Sequence, residues 1–359
     1  MSTMPDAEVF VTLGIDTHKY THLAVALDQL GRRLDELEIP TTTAGYGELH
    51  AWASELGTID TVGIEGTGAY GAGLTRWLRD RGVVVVEVER PDRKLRRNAG
   101  KSDPIDAEAA ARKVISGEAT VTPKLGTGNV EMIRVLRIAR RSAVISRKQV
   151  TNQLHALTVT APDVLREQLE GRTSRARVAI AAKFRPGDEP DTVLAATRYA
   201  MKKLALRFRT LDAEIKDLDR QLTRLVTATA PKIVALRGVG IHTTATLLVT
   251  AGDNPDRLRS EGAFARLTGT APIPASSGKT NRFRLSRSGD RQANAALHLI
   301  AVNRLLCDPR SKAYVIKRTG GTKANLDILR RLKRYTAREI YPLLLEALTE
   351  AEPDLARAA

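Results

Sequence analysis

The sequence has few of the residues that stabilise secreted or membrane-bound proteins. Cys307 is the only cysteine, which excludes an intrachain disulfide framework and a cysteine-based zinc site. No apolar run reaches the roughly 18 residues that a membrane span needs. The first ten residues lack a basic region followed by an apolar core, so no secretory signal is expected. These absences predict a soluble, cytoplasmic protein.

Acidic and aromatic residues are also scarce. The chain has 57 basic and 41 acidic residues, and its net charge is +16. Such an excess favours a polyanionic partner, most commonly nucleic acid. An anionic membrane surface fits less well, because the basic residues are spread over three tracts, 90–101, 134–177 and 310–338. Aromatics make up only 4% of the chain, so recognition by shape and phosphate is expected to outweigh base stacking.

Hydrophobic residues, by contrast, are sufficient for folded cores. They make up 42% of 359 residues, which fits two or three domains. The N-terminal third alternates in the manner of strands, with two helical patterns between them. We predict a mixed α/β sheet with covered faces, built from strands at 9–17, 22–31, 32–42, 61–70 and 83–89 and helices at 44–57 and 70–81.

The rest of the chain has mainly helical periodicity. Residues 129–158 and 192–228 form long amphipathic patterns, and the later spacings in the second are those of a coiled coil, which suggests a dimerising segment. Residues 233–253 read as two short apolar helices joined by Gly238-Val239-Gly240. We therefore divide the chain into 1–122, 123–228 and 229–359.

Four carboxylates stand at positions where a sheet and a helix can bring them together. Asp16 and Glu65 end predicted strands, where ligands of α/β sheets commonly bind. Asp103 is expected to cap a helix with Pro104 in its first turn, and Asp106 follows on the same face. Such an Asp pair is also a common helix start without further use. Four converging carboxylates repel one another unless a hard cation such as Mg²⁺ binds between them.

A second candidate site is the segment "PASSGKT", which holds Ser276 and Ser277 before a glycine. Taken alone it is a turn, because Pro, Ser and Gly are turn formers. The Gly-x-Ser-x-Gly elbow of serine hydrolases is absent. The basic flank favours contact with phosphates, and consists of Lys279, Arg282, Arg284, Arg287 and Arg291. The six histidines show no spacing typical of a metal site.

The motifs together resemble a known family of nucleic-acid enzymes. They are "GIDTHKY" (14–20), "IEGTGAY" (64–70), "KSDPIDAEAAAR" (101–112), "LRGVGIHTTA" (236–245), "FARLTGTAPIPASSGKT" (264–280) and "SGDRQANAAL" (288–297). Their order is similar to that of DEDD transposases of the bridge-RNA-guided insertion-sequence family, whose N-terminal domain is RuvC-like and RNase-H-like. The resemblance covers nearly the whole chain and is weakest in the helical middle.

The resemblance implies a function for each motif. Asp16, Glu65, Asp103 and Asp106 would be the DEDD ligands of Mg²⁺. Ser277 would be the nucleophile that attacks the scissile phosphodiester, with Ser276 as the alternative. The segment around Gly238 and Gly240 would be a helix-hairpin-helix element that binds phosphates, although an ordinary turn between helices explains it equally well. The first basic tract would hold the DNA backbone through Arg93, Lys94, Arg96, Arg97 and Lys101.

The same resemblance implies the partners. They are donor and target DNA, a noncoding guide (bridge) RNA that pairs with both, and further copies of the chain as a dimer that assembles into a tetramer in the synaptic complex. The protein would be prokaryotic and nucleoid-associated when bound to DNA. Two alternatives stay open. One is a metal-dependent, structure-specific nuclease such as a Holliday-junction resolvase, and the other is a non-catalytic nucleic-acid-binding scaffold.

Overall fold

A computed structural model describes residues 8–88, 102–187, 189–275, 283–284, 286, 288–320 and 326–351. These residues form two compact units. The first combines the described residues up to Thr127 with Ala251–Arg259, and the second combines Gly128–Thr250 with the described residues from Ser260 onward. None of the helices in the described ranges has both the length and the apolar character that crossing a bilayer demands.

The first unit contains a mixed sheet. Three antiparallel strands come first in the chain, and two more strands then add on the other side of β1, parallel to it. The strand order is β3-β2-β1-β4-β5, with β1 at Phe10–Thr17, β2 at Thr21–Leu27, β3 at Arg33–Pro40, β4 at Thr58–Glu65 and β5 at Val84–Val88. This confirms the mixed α/β sheet predicted from the alternating pattern.

Helices cover both faces of this sheet. On one face, α1 (Thr43–Leu56) and α2 (Ala72–Arg79) pack through their apolar sides against Leu13 and Ile15 of β1. On the other face, α3 (Asp103–Ile115) packs against β2. Burial of both faces explains why the strands are rich in Val, Ile, Leu and Ala.

Two neighbouring glycines let α3 lie close to the centre of the sheet. Gly14 of β1 pairs with Gly63 of β4, and both face α3 because side chains alternate along a strand. A Cβ on Gly14 would stand 2.0 Å from the carbonyl oxygen of Ala107, and one on Gly63 would stand 2.6 Å from Val114 Cγ2. The helix therefore packs at a distance that no larger residue permits.

The second unit is mainly helical, as the periodicity predicts. Its long helices, α4 and α7, pack against each other in antiparallel directions, since Arg140 pairs with Asp219 and Arg147 with Asp212. The elements are α4 (Gly128–Thr160), α5 (Asp163–Leu169), α6 (Ser174–Ala181), α7 (Val193–Thr229), α8 (Pro231–Val234), α9 (Ile241–Ala251), α10 (Glu261–Leu267), β6 (Ile273–Pro274), β7 (Phe283–Arg284), α11 (Arg291–Cys307), α12 (Pro309–Thr319) and α13 (Leu326–Ala351).

The apolar side of α7 is packed within the chain. Met201 and Ala205 are fully buried and form one cluster with Leu154 of α4 and with Leu165 and Leu169 of α5. The predicted coiled-coil spacing is thus used at least partly for intramolecular packing. Dimerisation through this segment stays a prediction.

Candidate metal centre and serine segment

Two acidic side chains lie next to each other at one end of the sheet. Ile15 pairs with Ile64, so the residues that follow them, Asp16 and Glu65, end neighbouring parallel strands on the face covered by α3. Both are buried, with 9% and 5% of their surface exposed. The hydroxyl of Thr17 donates to the Glu65 carbonyl oxygen at 3.0 Å and ties the two strand ends together.

The start of α3 brings the other two carboxylates to the same sheet face. Asp103 was expected to be the N-cap, but Ser102 has that position, with an extended backbone at φ −143° and ψ 149°. Asp103 and Pro104 are therefore the first two residues of the helix. Proline suits this first turn, because the backbone N–H that it lacks would have no partner there. Asp106 is buried and Asp103 is exposed.

The charges of these residues act on one another. Burial raises the pKa of the Asp16 carboxyl above its ordinary value, and the negative charges of Asp103 and Asp106 raise that pKa further. His18 and a hydrogen bond from the Thr17 amide act in the opposite direction. The first unit therefore concentrates negative charge in a partly dehydrated place, which is unfavourable without a positive partner.

His18 is a member of this group that the sequence reasoning missed. Its Nε2 lies 3.3 Å from Asp16 Oδ2 and 3.3 Å from Asp103 Oδ2. One ligand atom from each of the three residues lies within 4.8 Å of the others. The prediction from histidine spacing did not consider a single histidine beside two carboxylates, which is the arrangement that His18 makes. Asp16 and His18 are two residues apart in "GIDTH", but β1 ends at Thr17, so the alternation of the strand did not predict where His18 lies.

The donor set suits a hard divalent cation. Neighbouring ligands of an octahedral ion with bonds of about 2.1 Å are about 3 Å apart, close to the separation of His18 Nε2 from each carboxylate. Carboxylate oxygens are the ligands that Mg²⁺ prefers, and an imidazole is compatible with Mn²⁺ and related ions. The residues present therefore fit a metal centre, and the roles of Asp16, Glu65, Asp103 and Asp106 as ligands stay a prediction.

The predicted nucleophile, Ser277, and its alternative, Ser276, lie outside the described residues. The described residues just before and just after this segment, 267–269 and 289–290, contact each other. The Asp290 amide donates to the Leu267 carbonyl at 2.7 Å. A Cβ on Gly289 would stand 2.7 Å from the backbone of Gly269. The start and the end of the serine-containing segment are thus held together.

Hydrogen bonds from two side chains, Asn294 and Lys333, hold the start of the serine segment in place. Asn294 of α11 donates through Nδ2 to the carbonyl oxygens of Thr268 and Gly269, at 2.8 and 3.1 Å. Its Oδ1 accepts from Lys333 Nζ at 2.7 Å. Lys333 is 7% exposed and forms no ion pair with any described residue. Asn294 also borders a cavity of about 260 Å³ beside the segment.

The two predicted phosphate-binding glycines have different surroundings. Gly238 has φ +75°, and a Cβ there would stand 2.8 Å from Arg304 Cγ, so its backbone conformation and its packing against α11 both require glycine. Around Gly240 nothing lies within 4 Å of such a Cβ, and its amide donates to Thr243 Oγ1 at 3.0 Å. Contact of this turn with phosphates stays a prediction.

Most of the predicted basic contacts fall outside the described residues. Arg284 and Arg291 are described, and both are exposed. Arg284 lies on β7, opposite Ile273, and Arg291 begins α11. The remaining cations of this prediction lie outside the described residues, namely Arg93, Lys94, Arg96, Arg97, Lys101, Lys279, Arg282 and Arg287.

Two family models match the chain, one in each half. A model of DEDD transposases of the IS110 type, described as "Transposase", matches residues 13–161. A model described as "Transposase IS116/IS110/IS902 family" matches residues 230–315. The first match contains all four carboxylates, and the second contains the glycine turn and the serine segment.

Two curated proteins are similar to part of the chain. One is the insertion element IS110 uncharacterized 43.6 kDa protein of Streptomyces coelicolor, 29% identical over 144 residues, or 39% of this chain and 35% of the relative. The other is the insertion element IS900 uncharacterized 42 kDa protein of Mycobacterium paratuberculosis, 32% identical over 149 residues, or 40% of this chain and 37% of the relative. The chain thus spans little more than a third of either relative's length.

Proposed function

The chain belongs to the IS110 family of DEDD transposases, and on that premise we propose that it is a DNA transposase. It would act as a site-specific recombinase that cuts and rejoins DNA for an insertion sequence. The observation that carries the proposal is the meeting of buried Asp16 with His18 and Asp103 where β1 ends. Carboxyl groups whose pKa is shifted by burial and by neighbouring charges cluster at functional sites.

The N-terminal domain is proposed to be RNase-H-like and RuvC-like, with boundaries at 1–122. The strand order, three antiparallel strands followed by two parallel ones, supports this assignment. The helical segment 123–228 and the transposase domain 229–359 complete the proposed division. The turn at Gly238 and Gly240 between α8 and α9 supports a helix-hairpin-helix element.

The proposed cofactor is Mg²⁺, held by Asp16, Glu65, Asp103 and Asp106. When bound at a phosphodiester, such an ion activates the attacking oxygen and stabilises the leaving one. The fold of the first unit holds the four carboxylates in position. The strand ends fix Asp16 and Glu65, and the packing of α3 on Gly14 and Gly63 fixes the distance of Asp106 from them. His18 is placed to hold the side chains of Asp16 and Asp103 in one orientation.

Ser277 is proposed to carry the covalent step. Its hydroxyl oxygen gives up its proton and bonds to the scissile phosphorus, while the bond from phosphorus to one sugar oxygen breaks and that oxygen is protonated. The phosphoserine link conserves the bond energy, so that a sugar hydroxyl of another strand can displace the serine and rejoin the DNA. The fixed base of the serine segment supports this role, because a nucleophile must be presented reproducibly.

The partners are proposed from the family and from charge. The net charge of +16 supports binding to donor and target DNA and to a guide RNA through their phosphates. If a guide RNA selects the DNA sequence by base pairing, the protein itself needs few aromatic residues for contacts to bases, and the chain has few. A dimer that assembles into a tetramer is proposed to bring metal centre and serine segment to each DNA strand.

The test compares variants of the two proposed sites in a recombination assay with donor DNA, target DNA and copurified RNA. Asp106→Ala and Ser277→Ala should each abolish strand exchange and leave RNA binding unchanged. Ser276→Ala is the matched control and should retain activity. Full recombination by both Asp106→Ala and Ser277→Ala would sink the proposal.

The same variants separate the alternatives. A protein–DNA adduct that disappears in Ser277→Ala supports the recombinase. Metal-dependent cleavage without any adduct would indicate a structure-specific nuclease. Binding that is indifferent to divalent cations, with no cleavage, would indicate a scaffold. Absence of any discrete RNA from the purified protein would count against the guided mechanism.

A further inference from the structure

The second unit contains a cleft of about 900 Å³ that no proposed function has used so far. It lies beside the segment 235–237, which follows α8, and its other walls come from α11, α12 and α13. Its volume is at the upper end of the range for small-molecule sites. The cleft lies partly within the basic tract 310–338, which favours a ligand that is anionic in at least one part.

Two tyrosines give the cleft an aromatic wall. The rings of Tyr314 and Tyr335 meet edge to face, with centroids 5.7 Å apart and planes at 86°. Tyr335 is 48% exposed although it is a large, mostly apolar side chain. Its ring thus contacts Tyr314 and is half exposed, and an exposed aromatic ring can stack on a nucleic-acid base. The low aromatic content of the whole chain does not exclude such a local platform.

The hydroxyl of Tyr314 adds a polar group. The oxygen is buried and makes no hydrogen bond to any residue that the structure describes. A buried hydroxyl without a partner is costly, and native proteins usually satisfy it. Tyr314 is part of the cleft wall, so a turn of its ring toward the cleft would bring the hydroxyl to a ligand that supplies the partner.

The charges of the cleft favour an anion. Glu339 pairs with Arg304 at 2.5 Å, and Asp308, which accepts hydrogen bonds from Ser311 at the start of α12, is the other acidic residue of the cleft. Arg237 and Arg310 are exposed, line the cleft and form no ion pair within the described ranges. Two guanidinium groups beside an aromatic platform match a phosphate attached to a base.

We propose that this cleft binds an unpaired nucleotide. Its base stacks on Tyr335, its polar edge or sugar bonds to the Tyr314 hydroxyl, and its phosphate is held by Arg237 and Arg310. The nucleotide must be unpaired, because a base inside a duplex does not expose its face. The inference rests on the proposed function only in taking the partner to be nucleic acid, and either RNA or single-stranded DNA supplies the required chemistry.

The experiment measures equilibrium binding of the full chain to labelled oligonucleotides of one length, as single-stranded RNA, single-stranded DNA and duplex DNA. Tyr335→Ala should weaken binding of at least one single strand by about tenfold, the usual effect of losing one stacked base. Tyr335→Phe should restore it, because the ring suffices for stacking. Duplex binding should change by less than about twofold. Loss for only RNA or only DNA identifies the source of the nucleotide.

The matched control is Tyr199→Ala on α7, where a partly exposed tyrosine also has a cation nearby, Lys203 Nζ at 5.0 Å. It should leave all three affinities unchanged. An oligonucleotide carrying 2-aminopurine should lose fluorescence on binding to the wild type and not to Tyr335→Ala. Thermal unfolding checks that the variant folds, and if it does not, Arg237→Gln and Arg310→Gln carry the test with the same expected loss.

Unchanged single-strand binding in Tyr335→Ala overturns the inference, and so does an equal loss for single strands and duplex. These results are independent of catalysis. Asp106→Ala and Ser277→Ala should keep the Tyr335-dependent binding even while they lose strand exchange. A result that overturns nucleotide binding in the cleft is therefore distinguishable from a result that overturns the transposase proposal.

Discussion

Glycine, the smallest residue, determines how close the acidic residues of the first unit come to one another. Gly14 and Gly63 precede Asp16 and Glu65 by two positions each, so that "GID" and "GIE" repeat on neighbouring strands. The missing side chains admit α3, and the acidic ends of β1 and β4 then lie beside the first turn of that helix. Sequence reasoning found the carboxylates but not this packing, because a contact made by a missing Cβ has no hydrophobic signature.

Gly14→Ala should therefore destabilise the first unit by about 1–3 kcal/mol, the usual cost of overpacking. The new methyl would collide with the backbone of Ala107 and Ala111, neither of which can rotate away. Chemical denaturation measures the change. Gly47→Ala in α1, where a Cβ meets nothing within 4 Å, is the control and should not destabilise. Equal stability of Gly14→Ala and wild type would contradict the packing described.

Asp16→Asn should stabilise the protein in a chelating buffer at neutral pH, because it removes one of several carboxylates that repel each other. The sign follows from the raised pKa of Asp16. A carboxyl with a raised folded-state pKa contributes stability at low pH that is lost as the pH rises through that pKa. The gain should thus shrink in acid, where Asp16 is protonated in both states.

The free energy of unfolding, followed against pH and against added Mg²⁺, checks this expectation. Mg²⁺ should stabilise the wild type more than Asp16→Asn. Asp60→Asn, an exposed aspartate of β4, serves as the control and should show neither effect. A wild type that is indifferent to Mg²⁺ would argue against a metal centre here.

At the scale of elements, periodicity predicted the long helices well and their partners poorly. The patterns at 129–158 and 192–228 correspond to α4 and α7 within a few residues. Nothing in either pattern indicates that the two helices pack on each other. The short helices α5 and α6 had no distinct periodicity, since seven or eight residues make only two turns, and Leu165 and Val178 became part of a core only through tertiary packing.

The pairing of α4 with α7 can be tested through its half-buried ion pair, Arg147 with Asp212. A double-mutant cycle with Arg147→Gln and Asp212→Asn should give a coupling energy of about 0.5–1 kcal/mol. The same cycle on Arg220 and Asp217, an exposed pair within α7, should give less. Additive effects at Arg147 and Asp212 would mean that the ion pair does not hold the two helices in register.

At the scale of the whole molecule, composition predicts a class of partner but not the contacts. The excess positive charge is evident from the sequence, but the residues that use it are not, because a basic helix face and a basic binding face look the same. Salt dependence distinguishes them, since counterions are released only where phosphates are contacted.

Duplex DNA affinity should fall steeply with salt, and Arg96→Gln with Arg97→Gln should reduce the slope of log K against log salt by about 2, or roughly 0.9 per lost contact. Arg166→Gln with Arg220→Gln is the matched control, because those cations already pair with Asp163 and Asp217. The control slope should equal that of the wild type. An unchanged slope in the first variant would remove tract 90–101 from the DNA interface.

The closed base of the serine segment has a consequence for how such proteins can change. Residues 269 and 289 are held together by their own backbones and by Asn294 with Lys333, so the chain between them begins and ends at a fixed place. Doubling the length of a loop with fixed ends costs only about 0.6 kcal/mol. A change of length within the segment should therefore cost the fold little, as long as residues 269 and 289 keep their places.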